Sequence, residues 1–134
     1  MNDELRERLI EAACAVSKNA YVPYSHYPVG AALLAEDGGI YTGCNVENAA
    51  YPACICGERS ALVKAISEGV RRFTWIVVAT KNGGSPCGLC RQMLYEFSPR
   101  LGVLLVDFDG KVHLETTLDQ LLAHGFGPEK LPTP

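Results

Sequence analysis

Cys56-Gly57-Glu58 and Pro86-Cys87-Gly88-Leu89-Cys90 bring together three soft metal donors and one carboxylate. Thiolates suit zinc, and a catalytic zinc site keeps three protein ligands and leaves a fourth position for water. Glu58 stands two residues from the first cysteine, where it can move protons at that open position without being a ligand. A bound zinc brings the pKa of its water towards ~7, and a general acid–base carboxyl typically adds ~10²–10⁴-fold. These residue types at this spacing predict hydrolysis.

The predicted helices explain how such a site would hold its charge. A free thiol has a pKa of ~8.5 and must ionise to bind metal. Cys56 and Cys87 fall at the starts of two predicted helices, with Cys90 one turn further in, and helix N-termini favour anions. Cys87 and Cys90 are i,i+3 and share a helix face. Cys56 and Glu58 are i,i+2 and would diverge on a regular helix, so Cys56 is expected at the cap. Three thiolates on Zn²⁺ leave a net charge of −1. Arg59 and Arg91 each directly follow a motif residue. Either could donate hydrogen bonds to the sulfurs and tune the metal, or lie on a solvated helix face. Adding Cys54 would make a closed, structural four-cysteine site with no open position, in a binding module and not an enzyme.

Apolar periodicity predicts the elements that carry these residues. Residues 4–18 form an amphipathic helix, with Leu5, Leu9, Ala12, Ala13 and Val16 on one face. Tyr21 to Pro28, with two prolines and three tyrosines, is an ordered loop whose aromatics pack on the core or wall a pocket for a flat ring. Residues 29–35 and 40–47 form a hairpin. Asn45 and Glu47 face the same side of its second strand, as an exposed polar edge or as a pair aimed at hydroxyls. Residues 57–68 are helical, with Gly69 at C′, and 75–79 are a buried strand. Ser85-Pro86 reads as an N-cap and first helical residue, of a helix reaching Phe97. Strands at 103–108 and 111–114 form a second hairpin, a short helix covers 117–123, and the tail ends loosely in prolines. The order α-β-β-α-β-α-β-β-α predicts an α/β fold, a three-layer α/β/α sandwich around a mixed five-stranded sheet.

The totals exclude several classes. A length of 134 residues fits one domain over 1–134, and folding buries roughly 68–70% of such a chain's surface. No apolar run approaches the ~20 residues of a membrane span. The opening Met1-Asn2-Asp3-Glu4 lacks the basic and apolar regions of a signal peptide, so a soluble, cytoplasmic protein is expected. Six cysteines without such a signal point to metal and not to disulfides. A net charge of −3 counts against binding a polyanion. His26, His113 and His124 lie away from the cysteine motifs and read as surface or loop residues.

Beyond the cysteines, Tyr24-Ser25, Val29 to Leu33, Asn45-Val46-Glu47-Asn48-Ala49-Ala50-Tyr51, Cys87 to Gln92 and Phe126-Gly127-Pro128-Glu129 carry a resemblance that runs from about Tyr21 to Leu131. The chain resembles the cytidine deaminases, specifically the short homotetrameric form with three cysteines. Cys-x-Glu followed by Pro-Cys-x-x-Cys is the all-cysteine signature of zinc-dependent nucleobase deaminases. The resemblance implies one zinc per chain on Cys56, Cys87 and Cys90, with Glu58 as catalytic acid–base. It implies that Asn45 and Glu47 bind the ribose 3′-hydroxyl and that the backbone amide at Gly57, usually alanine, helps hold the substrate. Tyr27, usually phenylalanine, would pack on the pyrimidine, and Phe126 would reach a neighbouring subunit's site. The implied reaction is hydrolysis of cytidine and 2′-deoxycytidine to uridine and 2′-deoxyuridine with release of ammonia, in pyrimidine salvage. The implied enzyme is a homotetramer with shared sites that binds neither nucleic acid nor membrane. An aminonucleoside antibiotic such as blasticidin S would be the alternative substrate, against which the intact Asn45 and Glu47 pair argues.

Overall fold

The structure, a computed structural model, describes residues 1–132. Helix α1 (Asp3–Ser17) leads into the hairpin β1 (Gly30–Ala35) and β2 (Ile40–Cys44). Helix α2 (Gly57–Ser67), β3 (Phe73–Ala79), α3 (Gly88–Phe97) and β4 (Gly102–Val106) follow, then β5 (Val112–Thr117) and the short α4 (Leu118–Leu121). One sheet contains all five strands in the order β2-β1-β3-β4-β5. Only β3 and β4 pair in parallel; β1 pairs antiparallel with both neighbours, and β4 does so with β5. The sheet is mixed, as the element order predicts.

The central strands are apolar on both faces because both faces are covered. Ala32, Leu34, Val77, Ala79, Leu104 and Val106 pack with Leu9, Ile10 and Ala13 of α1. The alternate residues Ala31, Leu33, Ile76, Val78, Val103 and Leu105 pack with Ala61, Leu62 and Ala65 of α2 and Leu94 of α3. The result is the expected three layers. Helix α1 is started by Asn2, whose side chain accepts from the Leu5 amide at 2.8 Å, with Asp3 and Glu4 in the favourable first turn. Helix α2 lies directly against β2 because Gly43 has no side chain. A Cβ there would stand 2.3 Å from the Ala61 amide nitrogen and 2.7 Å from the Gly57 carbonyl oxygen, so the first turns of α2 rest on the β2 backbone.

Four boundaries differ from expectation. Strand β2 ends at Cys44, so Asn45 and Glu47 are beyond it. There the chain leaves the sheet edge, and Val46 bridges Tyr21 on one side and Ile55 on the other. Helix α3 is capped by Cys87, not by Ser85. The β4–β5 turn tightens earlier because Asp107 accepts from the Asp109 and Lys111 amides at 2.9 and 3.1 Å. The last helix covers only Leu118–Leu121. Two 3₁₀ turns, Tyr51–Ala53 and Pro128–Lys130, were not foreseen. The final residues of the proline tail, 133 and 134, lie outside the described residues.

Candidate active site

The starts of α2 and α3 meet at three sulfurs. Cys56 caps α2 with extended backbone, and Cys87 caps α3 likewise. Neither side chain makes a capping hydrogen bond to its helix, which leaves both sulfurs free for the cluster. Cys90, in the first turn of α3, is buried. The Cys56 and Cys87 sulfurs are 3.7 Å apart and those of Cys87 and Cys90 3.5 Å apart; all three lie within 4.8 Å of one another. Tetrahedral zinc with bonds of ~2.3 Å spaces its sulfurs by about 3.8 Å, so this donor set fits the metal in both chemistry and spacing.

The charges are arranged to suit it. Hydrogen bonding from the Cys90 thiol, then from Arg59 and Cys87, brings Cys56 down to about 5 despite partial burial. Cys90 is shifted the other way, by its hydrogen bond to Cys56, by burial and by the neighbouring negative charges of Glu58 and Cys56. The trio therefore holds a first negative charge readily and resists the next, which is the property a cation relieves. Arg59 donates from one terminal nitrogen to the Cys56 sulfur at 3.4 Å, as its place beside the motif allows, and the sulfurs in turn hold its own proton more tightly.

Glu58 follows in the first turn of α2 and is only 3% exposed. Burial raises it to about 7, and the charge at Cys56 adds to the rise, while Arg59 and the Glu58 amide oppose it. Its Oε1 is buried without any hydrogen-bond partner. A lone buried carboxyl oxygen costs free energy unless something else satisfies it. A carboxyl poised near neutrality beside a metal-binding cluster is suited to accept and return a proton.

Two neighbours of the motif do not join the sulfurs. Arg91 donates to the Pro86 carbonyl at 2.8 Å, to the Leu121 carbonyl at 2.7 Å and to the Ser85 hydroxyl at 2.7 Å. Its guanidinium is thus committed to oxygens, which corrects the expectation that it could donate to a sulfur. Cys54 is outside the cluster: the Asn48 amide donates to its sulfur at 3.2 Å, so a closed four-cysteine site is not formed.

The residues expected to meet a nucleoside are held by bonds of their own. Asn45 accepts from the Val29 amide and donates to the Tyr27 carbonyl, both at 2.9 Å. Glu47 accepts from the Tyr24 amide at 3.0 Å, from the Ser25 amide at 3.1 Å, and from the Ser25 hydroxyl. That hydroxyl bond, with the two amides, holds Glu47 below the usual carboxylate range. The pair is thus neither an idle polar edge nor free: it anchors the Tyr21–Pro28 loop and keeps one amide proton of Asn45 and one lone pair of Glu47 uncommitted. Ser25 had no assigned role in the sequence; only its place in that polar loop hinted at one. Tyr27 is partly buried, and its hydroxyl donates to Asn82 Oδ1 at 2.6 Å. Gly57 is the first residue of α2 and is buried. Phe126 is 54% exposed, and its carbonyl accepts from Gln92 at 2.8 Å. His26 and His124 sit in loops; His113 lies on β5, paired with Asp107 at 2.9 Å.

The chain is similar to known proteins over most of its length. The family model for the cytidine and deoxycytidylate deaminase zinc-binding region matches residues 3–106. A cytidine deaminase of Sporosarcina psychrophila is 48% identical over 128 residues, covering 93% of each chain. One from Halalkalibacterium halodurans is 43% identical, covering 94% of this chain and 97% of that one. The crystal structure of a cytidine deaminase from Burkholderia pseudomallei superposes with a TM-score of 0.86 at 44% identity, covering 94% of this chain and all of the other. The match spans both helix starts that carry the sulfurs, and the chain belongs to the cytidine and deoxycytidylate deaminase family.

Proposed function

We propose that this protein hydrolyses the exocyclic amine of cytidine and 2′-deoxycytidine, giving uridine or 2′-deoxyuridine and ammonia, in pyrimidine salvage. The observation that carries the reading is Glu58, with a buried, unpartnered oxygen beside a three-sulfur cluster. Cys56, Cys87 and Cys90 would hold one Zn²⁺. Bound there, zinc polarises water and makes it easier to deprotonate. Glu58 would accept one proton from the attacking water and deliver it to N3 of the ring, then take the proton of the new C4 hydroxyl and pass it to the amine, which leaves C4 as ammonia. The new bond is C4–O and the broken one C4–N, so no redox partner is needed. Arg59 offsets the charge of the sulfurs through Cys56.

Asn45 and Glu47 would hold the ribose 3′-hydroxyl, Tyr27 would wall the pyrimidine, and the Gly57 amide would face the substrate. A carboxylate at Glu47 also repels a 3′-phosphate, which favours a free nucleoside over a nucleic acid. A blasticidin-type antibiotic has no contact favouring it here. The assay is loss of cytidine absorbance on adding zinc-loaded protein, with and without chelator. Chelator-sensitive turnover is expected; none with cytidine, or full turnover after the metal is stripped, would defeat the reading.

The same proposal includes one domain, a cytoplasmic location and a homotetramer with shared sites. Six free thiols fit a reducing compartment, and among the described residues no helix is long and apolar enough to cross a membrane. Exposed Tyr24, Tyr51, Leu89 and Phe126 support burial against other copies. Phe126 would then complete a neighbour's pocket. Mixed, reassociated Glu58→Gln and Phe126→Ala subunits should regain activity above either parent; no recovery after proven exchange would exclude shared sites.

A further inference from the structure

The loop between β3 and the first α3 cysteine is tied to the nucleoside-side loop by a single phenol. Tyr27 is bonded at three points. Its amide donates to the Ser25 hydroxyl at 3.1 Å, and that hydroxyl bonds Glu47. Its carbonyl accepts from Asn45 at 2.9 Å. Its own hydroxyl crosses to Asn82 at 2.6 Å. One residue therefore spans from the Asn45–Glu47 segment to the stretch that leads, five residues later, into Cys87.

The far side is shaped to receive it. A Cβ on Gly84 would stand 2.5 Å from the Tyr27 oxygen but 3.7 Å from its ring carbon Cζ. The hydroxyl, and not the ring, is what position 84 leaves room for. The Gly84 amide is itself fixed to the Thr80 hydroxyl at 2.7 Å, and Thr80 is buried. The Lys81 ammonium stands 5.4 Å from the Tyr27 ring centroid, within the range of a cation–π contact.

We infer that Asn82 is a positioning residue for nucleoside binding: by holding the Tyr27 hydroxyl, across a gap left by Gly84, it sets the Tyr27 ring and the spacing between the Asn45–Glu47 segment and the cysteine loop. The inference rests on the deaminase reading and concerns binding and not the proton steps, because the hydrogen bonds of Tyr27 and Asn82 go to Ser25, Asn45 and each other and not to Glu58 or a sulfur. Losing one hydrogen bond of ordinary strength corresponds to a change of about 3- to 10-fold.

The test uses zinc-loaded protein and measures kcat and KM for cytidine, and uridine affinity by calorimetry. Asn82→Ala and Tyr27→Phe should each raise KM and weaken uridine about 3- to 10-fold, with kcat within about twofold. The double variant should be no worse than the poorer single, since both remove the same bond. Asn82→Asp, which still presents an acceptor oxygen, should restore the wild-type KM. Gly84→Ala should raise KM with Tyr27 in place and add nothing on a Tyr27→Phe background, where the crowded oxygen is gone. Unchanged KM and uridine affinity in both single variants, additive losses, or loss of thermal stability without any change in KM would overturn the inference alone. A wild-type protein inert towards cytidine would defeat the deaminase reading and this inference with it.

Discussion

The starts of α2 and α3 have the same plan and divide its uses. Each is capped by a cysteine in extended backbone, Cys56 or Cys87, followed by glycine. Each carries an arginine in its first turns, Arg59 or Arg91. On α2 the arginine turns back to the cap sulfur, and one oxygen of the glutamate beside it is buried without a partner. On α3 the second ligand, Cys90, takes the inward position, and the arginine ties three oxygens of the surrounding chain together. In the proposed reaction the α2 start is where charge is adjusted and protons would move. The α3 start is a clamp that keeps two sulfurs at a fixed height. Similar sequence context thus gives two arginines that sequence position alone does not distinguish.

Removing a ligand from the α2 start should have the largest effect. Cys56→Ala should lose stoichiometric zinc and all measurable turnover, while Cys54→Ala should keep one zinc per chain by metal analysis. Zinc lost from the Cys54 variant would show that the metal is held differently. Next, Arg59→Ala should keep the fold but lower zinc affinity or kcat about 10-fold or more, as loss of a group tuning a metal ligand does. Arg91→Ala should show the opposite pattern. Its three bonds go to oxygen, so unfolding stability should fall by about 2 kcal/mol, measured by denaturant midpoint, with zinc affinity nearly unchanged. If Arg59→Ala and Arg91→Ala gave the same ratio of stability loss to activity loss, the division between the two helix starts would be wrong.

The cysteine cluster was legible because each half is a short local motif at a predicted helix start, Cys56-Gly57-Glu58 and Cys87 to Cys90, and the chemistry of three thiols beside a carboxylate leaves few alternatives. The i,i+2 spacing of Cys56 and Glu58 was enough to place Cys56 at the cap, where the structure has it. The sandwich was legible because buried central strands read as unbroken apolar runs. The cap of α3 was misread because Ser85-Pro86 is a good helix start by local propensity; instead Ser85 receives a bond from Arg91. Asn45 and Glu47 were read on a strand, since the pairing of Val46 with Tyr21 and Ile55 is long-range and leaves no local pattern. Asn82 had no signal at all: Lys81-Asn82-Gly83-Gly84 reads as a turn, and its partner is 55 residues away. Residues whose role depends on a distant neighbour's shape are those that one-dimensional spacing misses.

The central claim is that Glu58 moves the protons of the reaction and does not hold the metal. Glu58→Gln has nearly the same shape and keeps a polar group at the buried position. The decisive measurement is its kcat for cytidine on protein whose zinc content has been determined in the same sample. One zinc per chain with at least ~10²-fold slower turnover is the predicted result. Near-normal turnover, or a loss of rate that merely follows a loss of zinc, would contradict the account.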